Sequence, residues 1–199
     1  LPTDCYMAVE GANGVIAAIA DAHSLEAAGA KILRPLSGGG LGRADAPWTG
    51  PIALDGNLTL DLLSEIAQSP DFASADLRVA PASPGKAERL APFLAQSRGT
   101  HYVNREEASI LCQTTFDTAS DAAEGLLARG AARVLVTDGG NAACEAVAGD
   151  VISRKPQKVL VTRVTGAGDT FMAAHIAAEA RDADRATALE EALDAAARY

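Results

Sequence analysis

Near its carboxyl end the chain reads VTRVTGAGDTFMAAHIAAEAR, from Val161 to Arg181. A β-prone run stops at Thr165-Gly166-Ala167-Gly168-Asp169, and an alanine-rich helical pattern follows at once. Glycines let the backbone N–H groups of Gly166, Ala167 and Gly168 point at one spot, and a helix starting there adds its positive end, so the segment can hold an anion. An acid cannot bind that anion, but beside it Asp169 can take the proton of an attacking hydroxyl. The same carboxylate can equally be a first-turn acid that only complements the helix dipole, worth a few tenths to about 1 kcal/mol. Spacing alone leaves both readings open.

Two further stretches carry groups of the right type. In VNREEA, Asn104 ends a strand and Glu107 follows three residues on. That is an Asn/Glu capping box in its plainer reading. In the other, an amide and a carboxylate lie near a metal-bound phosphate, the hard oxygen ligation that magnesium prefers. In VTDGG, Thr137, Gly139 and Gly140 follow a strand and would let a nucleotide lie close to the backbone, although turns of this composition also occur for no such reason. Other chemistries are excluded. The only Gly-Lys, Gly85-Lys86, is followed by Ala87, which breaks the Walker A pattern. SGGGLGRAD has Arg43 where a dinucleotide loop needs its third glycine, and there is no GxSxG elbow. His23, His101 and His175 share no metal or triad spacing, and His175 reads as a packed or exposed helix residue.

These groups need elements to position them. CYMAVEGANGVIAAIAD reads as two strands around Gly11-Ala12-Asn13-Gly14, a hairpin signal. A helical stretch from Ser24 to about Leu33 and a loop, SGGGLGRADAPWTGP, follow. Strands are then expected at PIALD, ADLRVA, THYV and ARVLVTD, alternating with helices at LTLDLLSEIAQ, GKAERLAPFLAQ, REEASILC and SDAAEGLLARG. A hairpin ACEAVAGDVIS, a strand KVLVT and two closing helices complete the chain. Such alternation predicts a parallel sheet with helices on both faces, whose functional residues gather beyond the carboxyl ends of the strands. Asn57, after PIALD, is therefore a further candidate.

With 199 residues, 48% of them hydrophobic, the chain can bury one sizeable core. A net charge of −9 argues against a nucleic-acid or anionic-membrane partner, and no apolar run is long enough for a membrane span. Cys5, Cys112 and Cys144 are far apart without metal spacing, as suits reduced thiols in a cytoplasmic protein. The start at Leu1, without Met and close to a strand, suggests that something precedes it.

Together the pieces resemble the ribokinase-like, or phosphofructokinase-B, family of sugar and nucleoside kinases. RVTGAGDTF matches the core of the family's D-T-x-G-A-G-D signature, Asn104-Arg105-Glu106-Glu107 its N-x-x-E, and Thr137-Asp138-Gly139 its T-x-G. PASPGK, Pro81 to Lys86, and the stretch VIAAIADAHSLE are similar to pseudouridine-kinase-like members. The resemblance implies a three-layer α/β/α fold with a mainly parallel sheet, residues 1–20 forming part of a small β-lid and 21–199 the kinase core. The family's first core strands have no counterpart in this chain.

The implied activity moves the γ-phosphoryl of ATP, with Mg²⁺, to a hydroxymethyl group of a sugar or nucleoside, pseudouridine leading. A sugar-phosphate kinase, or a nucleotide-binding module without turnover, are the alternatives. Asp169 would be the base, the amides of Gly166, Ala167 and Gly168 the anion hole, and Asn104, Glu107 and Thr165 the phosphate and Mg²⁺ side. Thr137, Gly139 and Gly140 would line the nucleotide, with Asn57 and Lys86 toward the substrate. Mg²⁺ would be held through the phosphates without a protein cage, and a homodimer through the lid is implied. Two positions depart from the family pattern: Arg163 replaces the signature's first acid, where its guanidinium could stand in for a monovalent cation, and Ala142 replaces a glycine of the nucleotide loop.

Overall fold

Strands that read as short continuous apolar runs must be covered on both sides, and parallel pairing with helical crossovers achieves this. The computed structural model describes residues 3–11, 14–160 and 165–199. In chain order its strands are β1 (Tyr6–Gly11), β2 (Gly14–Ala20), β3 (Pro51–Asp55), β4 (Asp76–Ala80), β5 (Thr100–Asn104), β6 (Arg133–Thr137), β7 (Ala143–Val147) and β8 (Asp150–Arg154). The helices are α1 (His23–Ala28), α2 (Arg34–Ser37), α3 (Leu60–Gln68), α4 (Ala91–Ala95), α5 (Arg105–Cys112), α6 (Ala119–Ala128), α7 (Ala167–Glu179) and α8 (Arg185–Arg198).

Strands β3 to β8 form one six-stranded sheet in sequence order. Neighbours from β3 to β6 run parallel, and β7 and β8 add as an antiparallel hairpin. Successive residues of β6 show why both faces need cover. Val134 and Val136 join a core with Leu63 and Ile66 of α3, Phe93 of α4 and Leu126 of α6, whereas Leu135 joins Phe171 and Met172 of α7 and Leu189 of α8. The result is the expected α/β/α sandwich.

The first two strands pair only with each other, as an antiparallel ribbon with an irregularity at Val9/Glu10. Ala12 and Asn13 of the expected turn lie outside the described residues. Tyr6, Met7, Val9, Ile16 and Ile19 are all exposed on this ribbon. Asp4 ties its base to the sandwich: its carboxylate accepts the N–H groups of Ser24 and Leu25, each at 3.0 Å, at the start of α1.

Three stretches differ from the sequence reading. Ser24–Leu33 is not one helix, because Gly29 at φ +50° ends α1 and a 3-10 segment, Gly29–Leu33, follows. GKAERLAPFLAQ is a 3-10 segment, Pro84–Leu90, running into the short α4, since Pro92 has no N–H to donate back across an α-turn. Lys158–Leu160 of KVLVT is not strand, and Val161 and Thr162 lie outside the described residues.

One core residue makes stability depend on pH. His101 of β5, level with Val79 and Val134, is fully buried, and neither ring nitrogen has a hydrogen-bonding partner among the described residues. Burial pushes its pKa down to about 4, only partly offset by the nearby backbone of Arg133 and Gly99. A depressed pKa means that the stabilisation is present above about 6.5 and lost as pH falls toward 4. In urea melts, the difference in stability between wild type and His101→Leu should shift by roughly 2–3 kcal/mol toward the variant from pH 7 to pH 4.5. A pH-independent difference would contradict the assignment.

Candidate active site

The parallel strands end along one edge, and register aligns their last residues: Asp55 lies opposite Ala80, and Asn104 opposite Thr137. Each is followed by a turn or a helix start, so backbone N–H groups and small polar side chains collect there.

At the end of β5, Asn104 caps α5. Its side chain accepts the Glu107 N–H at 2.8 Å, and a Glu107 carboxylate oxygen accepts the Asn104 N–H at 2.8 Å. The capping-box reading therefore holds in both bonds. Glu107 is nonetheless buried, and burial pushes its pKa up to about 7, with the Asn104 N–H opposing and Glu106 adding to the rise. A carboxyl whose pKa burial pushes this far up, at the strand edge where the polar turns collect, is unusual for a cap alone.

The turn after β6 runs Thr137-Asp138-Gly139-Gly140-Asn141. Gly139 takes φ +56°, and no atom lies within 4 Å of where a side chain would begin at Gly139 or Gly140, so this backbone is open to a ligand. Asp138 fixes the turn. Its carboxylate accepts Arg105 Nε at 2.9 Å and Asn141 Nδ2 at 3.1 Å, and its carbonyl accepts the Asn141 N–H at 2.9 Å. Arg105 also donates to the Phe116 carbonyl at 2.7 Å. This Arg105–Asp138 bridge, which locks the start of α5 to the turn, is absent from the sequence reading; its two residues are 33 apart and carry no spacing signal.

The end of β3 holds a second polar cluster. Asp55 accepts the Asn57 N–H and its Nδ2, both at 2.9 Å, and Lys86 Nζ donates to Asn57 Oδ1 at 2.6 Å. Asn57 and Lys86 are therefore brought together, and Asp55, one of the residues that close the strand, orients them; its role is carried by an Asx-turn, which an acid two residues before Asn signals. Gly56 sits in a close approach, where a Cβ would lie 3.1 Å from the Ala82 nitrogen and the neighbouring backbone would have to give. This cluster does not touch the Asn104–Thr137 group, because β3 and β5 are two strands apart, about 10 Å.

Helix α7 supplies the third group. His175 packs on Tyr102 of β5, and Glu179 reaches Arg133, the first residue of β6, so the helix runs back from the carboxyl edge with Gly166 and Asp169 at that edge. Gly166 is in the left-handed region at φ +93° and offers no side-chain cap, whereas Thr59, Asn104, Thr118 and Asp184 cap α3, α5, α6 and α8. The first internal bond of α7 is Thr170 N–H to the Gly166 carbonyl, at 2.9 Å, which leaves the earlier N–H groups without an internal acceptor. A Cβ on Gly166 would strike the Tyr199 hydroxyl at 2.5 Å and its ring at 2.8 Å. Gly168 and Asp169 are exposed, and Asp169 has no side-chain partner among the described residues. Arg163 lies outside the described residues, and Thr165 directly precedes Gly166.

Among the described residues, no three His, Cys, Asp or Glu side chains are grouped to hold a metal, and no helix is long and apolar enough to cross a membrane. Cys112 and Cys144 are buried and Cys5 exposed, all as free thiols.

Residues 51–198 match the profile of pfkB family carbohydrate kinases. The chain belongs to this family. Its fold is that of solved kinases as well. A carbohydrate kinase from Agrobacterium tumefaciens superposes with a TM-score of 0.74 at 24% identity, covering 98% of this chain and 61% of that one. An adenosine kinase from Sinorhizobium meliloti gives 0.61 at 20% identity, over 73% of this chain and 47% of that one. Phosphofructokinase-2 from Escherichia coli in complex with fructose-6-phosphate gives 0.59 at 21%, over 73% and 48%. The pfkB chain described here thus spans about three fifths or less of these relatives. No curated protein sequence matches it.

Capping and acidity at Glu107 can be separated. Glutamine keeps the oxygen that accepts the Asn104 N–H but cannot ionise. A raised carboxyl pKa favours the fold below about 4.5 and loses that contribution as pH rises through about 7. Between pH 5 and pH 8, Glu107→Gln should therefore gain roughly 2 kcal/mol relative to wild type in denaturant melts. Asn104→Ala, which removes a cap, should cost about 1 kcal/mol at either pH.

Proposed function

We propose that this pfkB protein is an ATP-dependent kinase that moves the γ-phosphoryl group to a primary hydroxyl of a sugar or nucleoside, with pseudouridine the first acceptor to test. The observation that carries the reading is the start of α7: N–H groups without internal acceptors around Gly166, and in the same turn an exposed Asp169 with no side-chain partner among the described residues. An uncapped helix start is suited to an anion, and a carboxylate beside it to a proton.

The residues present fit a nucleotide. Gly139 and Gly140 leave room for its close approach, and Thr137 offers a hydroxyl beside them. When bound, Mg·ATP supplies the transferable phosphoryl group and neutralises part of its charge. Asn104, Glu107 and Thr165 would hold the phosphate and Mg²⁺ side, with most of the metal's ligands coming from phosphate and water. The amides of Gly166, Ala167 and Gly168 stabilise charge that develops on the phosphoryl oxygens. Asp169 takes the proton of the acceptor hydroxyl. Lys86, oriented by Asn57 and Asp55, places a cation on the substrate side. The β1–β2 ribbon serves as the lid, and its exposed apolar side chains suit covering an acceptor or pairing with a second copy. Reduced cysteines and Mg·ATP chemistry both suit the cytoplasm.

The assay follows from the chemistry. Structural relatives include an adenosine kinase and a phosphofructokinase-2 with fructose-6-phosphate, so ADP release should be measured with pseudouridine, uridine, ribose, fructose and fructose 6-phosphate. Turnover is expected on one acceptor class, and Asp169→Asn should lower kcat by about 10²–10⁴-fold. ATP binding without transfer to any acceptor, or full activity in Asp169→Asn, would reject the reading.

A further inference from the structure

On the α7 side of the sheet, away from the carboxyl edge, lies a buried network that the candidate site does not use. Glu145 and His175 are fully buried, and Arg78 is nearly so. Arg78 Nη1 donates to the Tyr102 hydroxyl at 2.9 Å and to Glu179 at 2.5 Å. Arg133 donates to Glu179 at 2.5 Å and to Glu145 at 2.6 Å, and Arg185 of α8 donates to Glu145 at 2.6 Å. The Tyr102 hydroxyl lies 2.9 Å from His175 Nδ1.

Arginine can only donate, so the Tyr102 oxygen accepts from Arg78, while the direction of the Tyr102–His175 bond follows the imidazole tautomer. His175 Nε2 faces Glu145 Oε2 at 3.4 Å, and neither atom is hydrogen-bonded among the described residues. Burial would raise the Glu145 carboxyl, but His175, Arg185 and Arg133 outweigh it and hold it at about 2.

Buried ion networks seldom add net stability over well-packed apolar groups; where they are kept, they fix one arrangement against others. Helix α7 has a need of that kind. Phe171 and Met172 pack its first half, whereas beyond them its buried positions are His175 and Ala178, so the rest of the helix leans on polar contacts to hold its register. A slip of one residue would move its start by about 1.5 Å. Displacements of about 1 Å at a reacting centre can cost 10²-fold in rate.

We propose that Tyr102, His175 and Glu179 are positioning residues, which pin α7 to β4, β5 and β6 at two points and so set where Gly166–Asp169 stands at the carboxyl edge. Tyr102 holds the helix midway, its ring edge-on to both Phe171 and His175, and Glu179 holds the far end between Arg78 and Arg133. His175 is six residues beyond Asp169, about 9 Å along the helix, so it acts through the helix and touches no reacting atom. The proposal rests on Asp169 being the base of a phosphoryl transfer.

The test compares wild type, Tyr102→Phe, His175→Leu, His175→Asn and Asp169→Asn in the full-length protein, well below each melting temperature. It reads kcat, the KM for ATP, and amide hydrogen exchange of residues 167–171. Tyr102→Phe keeps the ring and its packing, and should lower kcat about 10–100-fold with the KM for ATP within about twofold, while exchange at 167–171 quickens. His175→Leu should do the same. His175→Asn, whose amide oxygen can occupy the Nδ1 position and accept from Tyr102, should recover most of the rate. Lower melting temperatures with unchanged kcat and exchange would make the network merely structural and overturn the proposal, as would equal losses in the Asn and Leu variants. If Asp169→Asn is as active as wild type, the kinase reading fails on its own account. Exchange at 167–171 in Tyr102→Phe then decides the positioning claim, faster supporting it and unchanged refuting it.

Discussion

The first N–H groups of α7 have no internal acceptor, and Gly166 provides no side chain to cap them. Most of the other long helices of this chain solve that problem locally, with Thr59, Asn104, Thr118 or Asp184. Leaving donors uncapped costs free energy unless something accepts from them, which is the condition for an anion site. Much of the structure can be understood as support for that one open end. The parallel sheet brings three strand ends to the same edge, Gly166 supplies the left-handed turn that aims the chain into the helix, and the sheet behind α7 holds the helix in place.

The two faces of the sheet do this differently. Toward α3, α4, α5 and α6 the packing is mainly apolar, from Leu63 and Ile66 to Phe93 and Leu126, with His101 buried among it. Toward α7 and α8 a smaller apolar cluster around Phe171, Met172 and Leu189 shares the interface with Glu145, His175, Arg78 and Arg133. The face that carries the open helix end is thus also the face with the buried ion-paired network. The proposed chemistry and the proposed positioning meet on one helix, ten residues apart between Asp169 and Glu179.

Much of this architecture is legible in the sequence because it depends on local pattern. Alternating β and α runs give the layers, and VNREEA yields the capping box down to both of its bonds. The small and polar residues after each strand mark the edge where the candidate groups collect. What is not legible depends on contacts between distant residues. Arg78 and Glu179 are 101 positions apart, so nothing near either one announces the pair. His175, which spacing leaves as an ordinary helix residue, becomes the centre of a network only when β5 and β7 are placed beneath it. The 3-10 segment at Pro84–Leu90 escapes for another reason: its composition is helical, and only the geometry imposed by Pro92 shortens the turn.

The proposal that the start of α7 and the turn after β6 together hold a nucleotide, its phosphates at the helix start, is open to direct measurement by amide hydrogen exchange, with and without a magnesium complex of a non-hydrolysable ATP analogue. Bound oxygens should slow exchange at residues 166–170 and 137–141 together, in a magnesium-dependent manner. Protection confined to other segments, with both of these unchanged under saturating analogue, would contradict the account.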